Sequence, residues 1–68
     1  MTDIELLQEK IKARGVKLEW LAERMGITRY SLRNKMAGAY QFKQAEIKAL
    51  CEALDITDPA EIQAIFLA

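Results

Sequence analysis

A chain of 68 residues, 51% hydrophobic and 29% charged, allows one domain with one small core and has the composition of an ordinary soluble globular protein. Ten cations balance ten carboxylates, histidine is absent and cysteine occurs once, which excludes an internal disulfide and argues against a zinc site. No apolar run approaches the ~20 residues that span a bilayer, and the opening MTDIELL lacks the basic-then-apolar pattern of a secretory leader, so a cytoplasmic protein without metal or cofactor is expected.

The first predicted helix opens on a capping box, with Thr2 as N-cap and Glu5 three residues on. Ile4, Leu7 and Ile11 follow at helical spacing and Gly15 closes the helix. Lys10, Lys12 and Arg14 lie towards its end, where the helix dipole favours cations. A second helix, from about Leu18 to Met25, turns Leu18, Leu21, Ala22 and Met25 inward, and Gly26 serves as its left-handed closing residue. Thr28 is the expected N-cap of a third helix reaching to about residue 37, held on the core by Leu32 and Met36 and ended by Gly38. From Ala39 to Phe42 the chain reads as a short connection in which Tyr40 or Phe42 plugs the core. A fourth helix, about Lys43 to Leu54, carries Ile47, Leu50, Cys51 and Leu54 as its apolar stripe. Asp58-Pro59-Ala60-Glu61 is a second capping signature with proline at the first helical position. It starts a fifth helix, about Pro59 to Leu67, that contributes Ile62, Ile65 and Phe66. With no strand-type alternation, repeat or linker, the expected fold is all-α, a compact bundle of five short helices forming one domain over residues 1–68.

Residues 18–38 combine two short helices with a glycine corner between them. A small residue, Ala22, four positions before Gly26 lets two backbones approach where helices cross steeply, and the glycine lets the chain turn within a few residues. Leu21, Met25, Ile27 and Leu32 supply the apolar wedge, leaving Arg29, Tyr30, Arg33 and Asn34 to protrude. Charge is divided along the chain. All ten cations lie between Lys10 and Lys48 against three carboxylates, giving that segment +7, while the flanks carry −7. A neutral total is therefore compatible with one electropositive face.

The stretch LAERMGIT followed, after two residues, by SLRNKMAG resembles the helix-turn-helix of the lambda-repressor-like, Cro/cI (XRE) family of DNA-binding regulators. The resemblance runs from about Ile4 to Phe66 and is nearest to small phage-type members. It implies a five-helix DNA-binding domain, a homodimer on a roughly palindromic double-stranded operator, and a role in transcription regulation. Carried over by position, Arg29, Tyr30, Arg33 and Asn34 are the base-reading residues. Their chemistry agrees, since arginine can pair with guanine N7 and O6, and asparagine with adenine N6 and N7. Phosphate contacts are assigned to Lys17, Thr28, Ser31, Lys35, Tyr40 and Lys43. Lys17 and Lys43 precede helices whose first N–H groups can face an anion, and neither is a good N-cap. Two departures from the family pattern stand out. Lys17 and Leu18 replace a common threonine–glutamine pair whose glutamine reaches a phosphate. Lys35 occupies a position that is usually apolar, with Met36 expected to fill the space.

Three function classes follow. The leading expectation is a sequence-specific DNA-binding regulator, a phage or prophage-type repressor with no room for a ligand-sensing domain and no small-molecule ligand. Its dimer contacts are expected near the fifth helix, around Ile65, Phe66 and Leu67, unless Phe66 closes the monomer core. The alternative is a protein-interaction or antitoxin-like module that keeps the fold without reading an operator. An enzyme is not expected, because no histidine, phosphate-binding glycine loop or nucleophile–base spacing is present. Glu19 and Glu23 read as a solvated salt-bridge surface with Lys17 and Arg24, Trp20 as packing against the first helix, and Cys51 as core.

Overall fold

The computed structural model describes residues 1–67. Five helices, and no strand among the described residues, follow in the order α1 Ile4–Arg14, α2 Leu18–Met25, α3 Arg29–Met36, α4 Gln44–Leu54 and α5 Pro59–Phe66. None of these is long and apolar enough to cross a membrane.

The start of α1 differs from the sequence expectation by one residue. Asp3, not Thr2, is the N-cap, and its carboxylate accepts the Leu6 N–H at 3.1 Å. A charged acceptor binds a helix N-terminus more strongly than a hydroxyl. The Asp3 N–H also donates to the Ile65 carbonyl at 2.6 Å, which ties the chain start to α5 and sets the register. At the other end of α2, Gly26 takes φ 73°, a backbone region that costs other residues free energy. The Ile27 N–H reaches the Ala22 carbonyl at 3.0 Å and the Gly26 N–H reaches Glu23 at 3.1 Å, so the helix ends in a Schellman motif. Two residues, Ile27 and Thr28, then lead from this corner into α3. Gly38, at φ 83°, closes α3 with the equivalent pair of bonds, Ala39 to Asn34 and Gly38 to Lys35.

Burial follows the helical stripes. Leu7, Leu21, Leu32, Leu50 and Ile65 are fully enclosed, one from each helix, and they belong to one contiguous cluster. Within it α2 packs on α4 and α3, while α1 packs on α4 and α5. Of the two aromatic candidates for the connection after α3, Phe42 is the plug and Tyr40 is exposed. Phe42 meets Phe66 edge-on, with ring centroids 6.3 Å apart and planes at 80°, an arrangement favoured by the ring quadrupoles. Phe66 therefore closes the monomer core, and Ile65 beside it is enclosed as well, so neither forms an exposed dimer patch. Trp20 is half-buried beneath the Arg24 guanidinium, 5.0 Å from its ring centre. It packs against the core cluster and lines a surface groove with Arg14, Ala49 and Ala53.

Candidate nucleic-acid interface

The α2–Gly26–α3 unit presents α3 outward because that helix buries little. Of its eight residues Leu32 and Lys35 are buried. Full burial of a leucine is worth about 1.5–3 kcal/mol, so Leu32 supplies most of the apolar hold on α3. Arg29 and Arg33, four residues apart and so on one stripe, are exposed, as is Tyr30 at 75%. Asn34 is half-buried at the edge of this surface. The Thr28 hydroxyl oxygen caps α3 by accepting the Ser31 N–H at 3.0 Å. That bond leaves the hydroxyl proton of Thr28 available to an outside acceptor.

Lys17 and Lys43 occupy the N-cap positions of α2 and α4, and neither side chain caps its helix. Lysine carries no acceptor, so the first-turn N–H groups of α2 lack a side-chain partner. At α4 half of a capping box forms, with Glu46 Oε1 accepting the Lys43 N–H at 2.8 Å. Both lysine side chains are exposed. Lys17, Leu18, Glu19 and Arg29 line one shallow depression of about 270 Å³, so the N-terminus of α2 opens beside the first turn of α3. Glu19, expected on a solvated salt-bridge surface, lines this depression with Arg29, a cation from the next helix.

Lys35 requires a correction. Expected on the phosphates, it is 7% exposed and lies in the core. Its ammonium donates to Glu46 Oε1 at 2.8 Å and to the Gln41 carbonyl at 3.3 Å. Lysine thus fills the usually apolar position itself, and Met36 is left half-buried. Burial pushes the Glu46 carboxyl up. The bonds from Lys35 and from the Lys43 N–H, together with both ammonium charges, outweigh that and hold it below the ordinary carboxylate value.

The family model of the Cro/C1-type HTH DNA-binding domain matches residues 6–65. The chain belongs to the Cro/C1-type helix-turn-helix DNA-binding family. No curated protein and no solved structure matches it significantly. The Cro/C1-type domain is associated with DNA binding in transcription regulation, and its five-helix architecture is the one present here.

Within this Cro/C1-type domain the cations divide into distinct groups. Among the described residues, ion pairs shorter than 4.0 Å are Lys10–Glu61 at 2.6 Å and Lys35–Glu46 at 2.8 Å. Glu19 and Glu23 therefore form no salt bridge with Lys17 or Arg24, contrary to the sequence expectation. Arg24 stacks over Trp20 instead. Arg29, Arg33, Lys17 and Lys43 remain as exposed cations on and beside the helix-turn-helix unit. Cys51 lies in the core on α4, where burial pushes its thiol up, away from the reactive thiolate.

Proposed function

We propose that this Cro/C1-type domain is a sequence-specific regulator of the phage or prophage type that acts in the cytoplasm as a repressor, with α3 in the major groove of double-stranded DNA. The observation that carries the reading is the exposed Arg29–Tyr30–Arg33 surface beside the uncapped N-terminus of α2. Arg29, Tyr30, Arg33 and Asn34 read bases. Lys17, Thr28, Ser31, Tyr40 and Lys43 hold the backbone, and Lys35 is withdrawn from that set. Occupying an operator excludes other proteins from the same base pairs, which makes repression the activity proposed.

One recognition helix reads too few base pairs for high specificity, so the domain works as a homodimer on a palindromic operator. The face proposed for a second copy is a groove of about 630 Å³ between α4 and α5, lined by Ile47, Cys51, Ile56 and Ile62 and rimmed by Lys48, Glu52 and Asp55. A patch carrying both signs around an apolar centre suits a two-fold interface, because each cation meets a carboxylate of the other copy. Extents of 28 × 23 × 20 Å allow two copies side by side to place their α3 helices about one helical turn, ~34 Å, apart.

Duplex binding across a salt series tests the proposal. Lys17 and Lys43 from each of two copies neutralise four phosphates, which gives a log–log slope of about −4. A flat salt response with tight binding to another protein would instead identify an interaction module.

A further inference from the structure

The core side of α3 is held by apolar packing and by directed bonds. Leu32, enclosed, and Met36, half-buried one turn on, pack without direction and fix how deeply the helix sits. Lys35, in the last turn, forms directed bonds to Glu46 and to the Gln41 carbonyl. The same Glu46 oxygen accepts the Lys43 N–H. One carboxylate oxygen therefore gathers the end of α3 and the N-cap of α4, and Lys35 adds the turn between them.

Phe42 anchors that turn in the core, but few hydrogen bonds orient its backbone. The Ala39 N–H reaches the Asn34 carbonyl at 3.0 Å and the Lys43 N–H reaches Glu46 at 2.8 Å. Between these, among the described residues, the hydrogen bond to the turn is the one Lys35 gives to Gln41. Tyr40 and Lys43, both exposed, flank that carbonyl. An apolar residue at position 35 packs equally well but offers nothing to Gln41.

We infer that the buried Lys35–Glu46 pair is a positioning device that sets the Tyr40–Lys43 turn in register with the reading helix, so that both meet one DNA duplex together. Lys35 acts through Tyr40 and Lys43 and touches no DNA itself. The inference rests on the DNA-binding reading above.

The test is a double-mutant cycle on the full chain. Lys35→Met with Glu46→Gln replaces the ion pair by a neutral one and keeps an oxygen for the Lys43 N–H. Thermal unfolding by circular dichroism establishes that the variant is folded. Affinity for a mixed-sequence duplex of about 20 base pairs, a length covering two half-sites one turn apart, is read by fluorescence anisotropy at several salt concentrations. Lys43→Ala is measured in both backgrounds. In the native background Lys43→Ala weakens binding and lowers the salt slope by about 0.9 for each phosphate no longer neutralised. In the neutral-pair background it costs at least about threefold less, the coupling expected of residues that share one device. Equal penalties in the two backgrounds overturn the inference and leave the DNA reading intact. A native chain without salt-dependent duplex binding overturns both. If the neutral pair prevents folding, Lys35→Met alone, which removes the bond to Gln41, carries the same cycle with the same criterion.

Discussion

Replacing Lys35 alone by methionine isolates the buried charge. The methionine side chain resembles the aliphatic stem of lysine, so packing changes little. What remains is a Glu46 carboxylate, 8% exposed, with the Lys43 N–H at 2.8 Å and no ammonium bonded to it. Removing one partner of a buried pair costs about 3–5 kcal/mol. At about 0.05–0.15 kcal/mol per residue, a chain of 68 residues has on the order of 3–10 kcal/mol in total. Each kcal/mol moves the melting temperature of a domain this size by about 4–8 °C, so Lys35→Met melts at least ~12 °C below the parent by circular dichroism. The pH dependence sharpens the test. In the native chain Glu46 is held below its ordinary value. Its contribution is thus full above ~4.3 and is lost as pH falls through the lower native value. In the variant an orphaned buried carboxylate has its pKa raised, so protonation relieves the penalty and the gap between the two melting curves narrows from pH 7 towards pH 4. A variant melting within ~2 °C of the parent, or a gap that ignores pH, would refute the burial of this pair.

Arg29→Ala should relax preference at one operator base pair by about 1–3 kcal/mol, whereas Lys43→Ala should weaken selected and scrambled duplexes alike; competition binding with both duplexes checks this, and identical behaviour of the two variants contradicts the assignment. Lys48→Glu should shift the dimer towards monomer in sedimentation experiments, and adding Glu52→Lys should restore it, since both residues rim the α4–α5 groove; a dimer indifferent to both changes moves the interface elsewhere. Gly26→Ala should cost about 1–2 kcal/mol in denaturant unfolding, all of it from the left-handed backbone, because an added Cβ meets nothing within 4 Å; a larger loss would mean that the corner is packed against something.

Much of this fold was legible because its punctuation is local. Gly26 and Gly38 end α2 and α3 by bonds within six residues, and Asp58 with Pro59 starts α5. The same holds for the exposure of Arg29, Tyr30 and Arg33, which follows from helical spacing around Leu32. What eluded the sequence depends on distant partners. Asp3 displaced Thr2 as cap where its own N–H meets Ile65 at the other end of the chain. Tyr40 and Phe42 were equivalent candidates until Phe66 selected the second. Lys35 read as a surface cation because its partner lies eleven residues on. A signal was nonetheless present: Lys35 falls three after Leu32, and Glu46 falls four before Leu50, so both charges sit on inward stripes. Opposite charges on two facing apolar stripes mark a buried pair more readily than two surface ions.

Selection of bound duplexes from a random pool, followed by sequencing, addresses the central claim, that α3 reads bases in the major groove from two symmetric copies. The expected result is a palindromic consensus with half-sites about one helical turn apart, altered at one position per half-site by Arg29→Ala. A pool that stays random while protein–DNA complexes form, or a consensus unchanged by Arg29→Ala and Arg33→Ala together, would contradict it.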